Sequence, residues 1–467
     1  MSDLIADGAR LIDAPTGSVL TGSGLQQAID RTAAEIGTAG SGLILLPAPW
    51  RLASVLRYLA ALSTGRPVAL LDPATSPDHL RDLVERFTPA AIWGWQDLTS
   101  APDAAPPGYE PTATAWIRRS SGPATHPDLA VLLTTSGSTG TARLVRLSRA
   151  AVVANAEAIG LALRLSGDEL APTTMPFFHG YGLSVLNSHL RVGAAVLVTD
   201  TNLLADQFWG LVDEYRATSF AAVAHLYELL YQLHWNPARH TSLRTLTQSG
   251  GRMRPEIKTA LATDIATNGG GLYVMYGQTE ATARLAVLPP EQVLLRPESV
   301  GLAVPGSRLT IADVDEAADG VIGEVVFHGP SVMMGYADTA EDLARPDVMH
   351  GVLHTGDLGS FDSDGYLYLH GRVNRIAKVQ GVRVNLDYVE NLATQVYAGG
   401  PVAAVARDDS VIIWCQGRIT DEQATTVARY VAEQLRLNRR GFQTRAVDRL
   451  PILSNNKIDY RGLSIVP

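Results

Sequence analysis

The chain has 467 residues, a formal net charge of −9 and one cysteine, Cys415. That length exceeds one ordinary domain, so two or more structural units are expected, and an apolar fraction of 46% can fill a large core. The acidic balance without a long basic run argues against nucleic acid as a partner. The lone cysteine suits a reducing, cytoplasmic setting, and neither a signal core nor an apolar stretch of membrane-spanning length is present.

In chain order, residues 99–127 are rich in Ala, Pro, Gly and Ser and read as a loop or weakly structured connection. Leu129-Ala130-Val131-Leu132-Leu133 reads as a buried strand. It runs directly into Thr134-Thr135-Ser136-Gly137-Ser138-Thr139-Gly140-Thr141-Ala142-Arg143, a loop of hydroxyls and glycines. Glycines there let backbone N–H groups close on an anion, and the hydroxyls of Thr135, Ser136, Ser138 and Thr139 add donors. The loop lacks the Gly-Lys-Ser/Thr ending of a Walker A motif. Further on, Ala195-Val196-Leu197-Val198 is strand-like, residues 226–233 are helical, and residues 243–247 are again strand-like. Arg254-Pro255-Glu256 opens a helix. This alternation argues for α/β layers with mostly parallel sheets. Residues 307–311 and 323–327 are strands with no helix between, which suggests a β-rich subdomain.

Lysine is scarce. Only Lys258, Lys378 and Lys457 occur, although Lys and Arg together number 38. Arginine is a wide planar fork and lysine a compact point charge on a flexible stem. Lysine therefore survives where arginine cannot do the work. Lys258, just inside a helix start, reads as a solvated surface charge.

Five motifs in order resemble those of the adenylate-forming superfamily, which includes acyl-CoA synthetases, peptide-synthetase adenylation domains and firefly luciferase. The hydroxyl–glycine loop resembles its phosphate-binding loop. Pro176-Phe177-Phe178-His179-Gly180-Tyr181-Gly182 is similar to its aromatic-histidine segment, and Tyr276-Gly277-Gln278-Thr279-Glu280 to its Tyr-Gly-x-Thr-Glu motif. Thr355-Gly356-Asp357 with Gly371-Arg372, and Leu450-Pro451 through Asn456-Lys457-Ile458-Asp459, complete the series. The resemblance implies a multidomain α/β protein. Residues 1–370 would form a large N-terminal domain of two α/β subdomains plus a distorted β-barrel. Residues 371–467 would form a small mobile α+β domain carrying the catalytic lysine. The chain stops soon after that lysine, so no fused carrier domain is expected.

The resemblance also implies the roles. Thr135, Ser136, Gly137, Ser138, Thr139 and Gly140 would hold the β- and γ-phosphates of ATP. Arg143 stands where the family has a lysine, and either touches phosphate or braces the loop. Thr279 would contact the α-phosphate and Glu280 would bind Mg²⁺. Gly250, Gly251, Tyr276, Gly277 and Gln278 would wall the adenine pocket, and Asp357 and Arg372 would hold the ribose. Lys457 would bridge carboxylate and α-phosphate. His179 would gate the acid site, with His225 and Met275 in its lining. Arg284, one helical turn past Glu280, would face a substrate anion or make a structural salt bridge. Lys378 and Gly381 match the face used in a second step. No histidine cluster has zinc spacing.

The reaction implied is adenylation of a small carboxylic acid with release of pyrophosphate. Transfer to the thiol of CoA or of a separate carrier protein would follow. Departures from the family pattern at Ala142, Arg143, Ala224, Asn374 and Asn456 keep a second reading open. In it the adenylate passes to a non-thiol acceptor, as in an amide-bond synthetase or a nitrite-activating diazotase. A third reading, a nucleotide-binding protein without catalysis, is opposed by retention of Glu280, Asp357, Arg372 and Lys457.

Overall fold

The computed structural model describes residues 3–134, 143–312, 322–452 and 458–465. The chain divides into two compact units. One comprises Met1–Leu309 with Phe327–Leu353, and the other Thr310–Val326 with His354–Pro467.

The first unit is layered α/β. Its eight-stranded sheet runs in the order Gly335–Ala337, Leu144–Ser148, Leu129–Thr134, Val68–Leu71, Ile44–Pro47, Ala91–Trp93, Ala115–Arg118 and Tyr109–Pro111. The pairs from Leu129–Thr134 to Ala91–Trp93 are parallel. Their sequences, Val-Ala-Leu-Leu and Ile-Leu-Leu-Pro among them, are buried at every position but Thr134, which is half-buried. Continuous apolar runs are what a parallel sheet covered on both faces requires. Helices Leu52–Ser63 and Arg149–Ala162 cover one face, and Pro77–Phe87 covers the other.

Residues 99–127 are not one loop. Tyr109–Pro111 and Ala115–Arg118 pair antiparallel, and the second strand adds to Ala91–Trp93. Trp116 is 2% exposed and stacks on Trp95 at 4.6 Å. Pairing with an existing sheet edge outweighs the loop-like composition, because strand formation depends on its neighbours more than on intrinsic preference.

Three parallel strands, Ser219–Val223, Thr245–Ser249 and Gly271–Tyr276, continue antiparallel into Ala286–Leu288 and Ser299–Ala303. A third sheet joins Leu170–Pro172, Ala195–Val198, Arg10–Asp13 and Ser18–Thr21.

The second unit has a three-stranded sheet, Val402–Arg407, Ser410–Gln416 and Phe442–Val447. Alternation sends Val402, Ala404, Val411 and Ile413 to one face, under the helices Leu386–Val396 and Asp421–Gln434. Ala403, Val405, Ile412 and Trp414 face the other way, against Leu450 and Leu463 of the terminal segment. Both helices begin on side-chain caps: Asn385 accepts from two backbone amides, and Thr420 forms a capping box with Gln423. The expected strands near residues 307–311 and 323–327 are Arg308–Ala312 and Gly323–His328. Among the described residues no helix is long and apolar enough to cross a membrane.

Candidate active site

Ser219–Val223, Thr245–Ser249 and Gly271–Tyr276 run parallel and end at one edge of their sheet. The residues that follow them are Ala224 and His225, Gly250 and Gly251, and Gly277 through Glu280. In open parallel sheets ligands bind beyond the carboxyl ends of the strands. Gly250 and Gly251 turn the chain at φ +74° and +112°. Gln248, 1% exposed, fixes that turn by donating to the Gly251 carbonyl at 2.8 Å. Gly277 is required by space: a Cβ there would lie 1.8 Å from the Ala283 carbonyl oxygen.

Thr279–Ala281 is a single 3-10 turn. It ends at Thr282, whose φ of +67° is unusual for a β-branched residue. The Thr282 hydroxyl holds this conformation by donating to the Ser331 carbonyl at 2.8 Å. The half-buried Glu280 receives the Tyr336 hydroxyl on Oε1 at 2.8 Å, and its carbonyl accepts from the Met333 amide at 2.8 Å. Burial first, then the Glu280 charge, pushes the Tyr336 phenol well above its usual range, so it remains a donor. The Arg143 guanidinium lies 4.2 Å from the Tyr336 ring centroid and pairs with Asp338 at 3.1 Å. Arg143 is thus linked to Glu280 through one aromatic side chain. Tyr336 was not singled out from sequence. Its signal there is only a Gly335-Tyr336 pair after an apolar run.

Tyr276, at the end of its strand, is 8% exposed, and Gln278 Nε2 is 3.4 Å from its hydroxyl. His179 caps the helix Gly180–Arg191, is exposed, and packs its ring 4.5 Å from Phe178. His225 is exposed on the first turn of the helix Ala224–Gln232. Met275 and Arg284 meet inside the unit, on a cavity that neither histidine lines. Arg284 is not one helical turn past Glu280, because Thr282 reverses the chain after three residues of helix. It makes no salt bridge among the described residues. Instead its Nε donates to the Met275 sulfur at 3.2 Å and its guanidinium sits 4.2 Å over the Tyr181 ring.

In the second unit Asp357 and Arg372 face each other across paired strands, Val352–Phe361 and Leu367–Arg372. Arg372 Nε donates to Asp357 Oδ1 at 2.9 Å, with the carboxylate nearly buried and the guanidinium half exposed. The Thr355 hydroxyl accepts from the Asp357 amide at 3.1 Å and donates to the Val325 carbonyl at 2.7 Å. Lys378 is exposed, in a hairpin whose tip, Gln380-Gly381, has both φ angles positive.

Thr135, Ser136, Gly137, Ser138, Thr139, Gly140 and Lys457 lie outside the described residues, as do Ala142 and Asn456. Lys258 corrects the sequence reading. It is 5% exposed, its ammonium donates to the Pro297 carbonyl, and burial, aided by Arg252, lowers it to about 8.

A sequence model of the AMP-binding enzyme family matches residues 10–337, more than half of the chain. A probable CoA ligase of Humulus lupulus is 28% identical over 349 residues, which span 72% of this chain but 65% of that protein. An L-proline–L-prolyl-carrier-protein ligase of Streptomyces coelicolor is 28% identical over 444 residues, 88% of this chain and 80% of that protein. The solved structure of o-succinylbenzoate coenzyme A synthetase from Bacillus subtilis, in complex with ATP and magnesium, superposes with a TM-score of 0.74 at 20% identity. It covers 97% of this chain and 96% of that one, and at that identity the likeness concerns the fold. The chain belongs to the AMP-binding enzyme family, the adenylate-forming superfamily.

Proposed function

We propose that the protein is an ATP-dependent acid ligase. In this reading it joins a small carboxylic acid to AMP, releases pyrophosphate, and passes the acyl group to the thiol of CoA or of a separate carrier protein. The observation that carries the reading is the shared strand edge, where Gly250-Gly251 and Gly277 through Glu280 follow neighbouring parallel strands, the second ending at Tyr276. The names of the relatives, a CoA ligase and a carrier-protein ligase, support a thiol acceptor.

Adenylation brings two anions together, so the site must neutralise phosphate charge with fixed groups and exclude water. Tyr276 and the Gly250-Gly251 turn would bracket adenine, and Asp357 with Arg372 would take the ribose hydroxyls. The Glu280 carboxylate suits a cation. Tyr336 occupies Oε1, and Oε2 has no hydrogen-bond partner among the described residues. When bound there, Mg²⁺ would offset charge on the phosphates as pyrophosphate leaves. Thr279 would donate to the α-phosphate, and Lys457 would orient the attacking carboxylate against it. The ring of Tyr336 keeps Arg143 beside this carboxylate, which suits a brace for the preceding loop. A hinge at Gly371-Arg372, between residues 1–370 and 371–467, would carry Lys457 away for the second step. Gly371 takes φ +138°, with the Asn385 side chain 2.3 Å from where a Cβ would stand, so another residue does not fit.

The test is pyrophosphate release against aromatic acids, fatty acids, short acids, amino acids and nitrite, each with and without CoA, with products identified by mass. A CoA-dependent thioester supports the proposal. Release that ignores CoA but responds to an added amine or to nitrite moves the acceptor to the non-thiol class.

A further inference from the structure

The wall of the first unit's inner cavity holds a charge with no counterpart among the described residues. The cavity has a volume of 20 Å³. That is room for one or two water-sized groups. Its lining includes Arg284, Tyr181, Met275, Ser188 and His189, and among the described residues no carboxylate. Arg284 is 3% exposed. Its Nε has only the Met275 sulfur as acceptor, and its two terminal nitrogens have no hydrogen-bond partner among the described residues. The other stabilising neighbour is the face of Tyr181, 4.2 Å away. The arginine is nevertheless held in place. Its carbonyl accepts from buried Asn155 at 3.2 Å, and one terminal nitrogen lies 3.2 Å from where a Cβ on Gly277 would stand.

A buried cation with neither ion-pair partner nor full hydrogen bonding is strongly disfavoured, and such charges are normally paired. Burial lowers Arg284 only to about 10, so it remains charged at neutral pH. The histidine in the same wall does not compete as a cation. His189 Nδ1 donates to the Val185 carbonyl at 2.8 Å, Nε2 accepts from Ser219 at 3.2 Å, and burial lowers it to about 4. The cavity therefore presents a single fixed positive charge to whatever enters.

We propose that Arg284 binds a second anionic group of the acid substrate, so that the acid class is short dicarboxylic acids rather than simple monoacids. This rests on the adenylation reading given above. The cavity is the size of one carboxylate, and a planar guanidinium takes a carboxylate in two parallel hydrogen bonds. Tyr181, which carries the guanidinium, is two residues past His179, at the start of the same helix. Tyr276 ends the strand that supplies Met275, and Gly277 through Glu280 follow it. A short acid can then keep one carboxylate on Arg284 while the other reaches the strand ends for adenylation.

The experiment compares malonate, succinate and glutarate with propionate, butyrate and succinamate, by acid-dependent ATP–pyrophosphate exchange and by thermal shift with the acid alone. The variants are Arg284→Met, which matches the volume, and Arg284→Lys. Wild type should favour the diacid over its matched monoacid about 10- to 100-fold, the scale of one lost charge-assisted pair. Arg284→Met should abolish that preference by lowering diacid exchange more than monoacid exchange, and Arg284→Lys should restore part of it. The diacid should raise the melting temperature of wild type and not of Arg284→Met. Equal use of diacids and monoacids by wild type overturns the inference and leaves the adenylation reading intact. So does equal loss of both classes in Arg284→Met, which would put the reacting carboxylate on the arginine. No exchange with any acid would remove the adenylation reading. In that event, diacid stabilisation of wild type but not Arg284→Met would still uphold the binding site, and its absence would refute it.

Discussion

Tyr336→Phe isolates the hydrogen bond that holds Glu280. The variant keeps the ring, and with it the 4.2 Å stacking of Arg143, and deletes the hydroxyl that donates to Oε1 at 2.8 Å. A hydrogen bond to a charged group contributes about 1.5–3 kcal/mol. Glu280 is only half buried, so water replaces part of the loss and the low end applies. About 1.5 kcal/mol corresponds to roughly tenfold. If Glu280 holds Mg²⁺, the freed carboxylate becomes mobile, and the Mg²⁺ concentration for half-maximal adenylation should rise about tenfold with the same change in kcat/KM for ATP. Global stability should fall by no more than about 1.5 kcal/mol, the worth of that one hydrogen bond, because no core atom is removed. The assay is pyrophosphate release titrated with MgCl₂ at fixed acid, beside a urea melt. An unchanged Mg²⁺ midpoint with a lower kcat would refute the role given to Glu280. A large loss of stability would instead make Tyr336 a packing residue.

Lys258→Met should stabilise the fold at neutral pH. Its folded value of about 8 lies below its ordinary 10.5. The folded state therefore binds fewer protons than the unfolded one between those values, and stability rises with pH across that window. Below pH 8 the buried charge costs up to about 3 kcal/mol. Offset by the lost bond to Pro297, the gain should be about 1–2 kcal/mol at pH 7 and vanish above pH 10.5, as read from urea melts. Gly277→Ala should fail to fold or lose more than about 3 kcal/mol, since its methyl would stand 1.8 Å from the Ala283 carbonyl, and soluble yield with thermal melting measures this. Lys457→Ala should abolish adenylate formation while leaving the second step from preformed adenylate largely intact; equal loss in both half-reactions would contradict its role.

What was legible in the sequence was local. The strand Leu129–Thr134, the turn at Gly250-Gly251 and the Tyr276–Glu280 run announce themselves within a few residues, because glycines and apolar runs act on adjacent backbone. The misses all turn on distance along the chain. Tyr336 reaches Glu280 across 56 residues, and nothing near either residue signals the pair. Lys258 looked solvated because helix position does not reveal packing against Pro297, 39 residues on. Helical spacing places Arg284 a turn past Glu280, but Thr282, held at positive φ by its bond to the Ser331 carbonyl 49 residues on, cuts the helix short. The Tyr109–Pro111 and Ala115–Arg118 strands exist through pairing with Ala91–Trp93, and a composition dominated by Ala and Pro hides them.

The most direct test of adenylate chemistry follows oxygen. An acid accepted in the exchange assay is labelled with ¹⁸O in its carboxylate and incubated with ATP, Mg²⁺ and an acceptor. Attack of that carboxylate on the α-phosphate, followed by acyl transfer, leaves one labelled oxygen in AMP, and mass spectrometry of AMP should show it. Label in inorganic phosphate instead, or unlabelled AMP beside labelled product, would contradict the account.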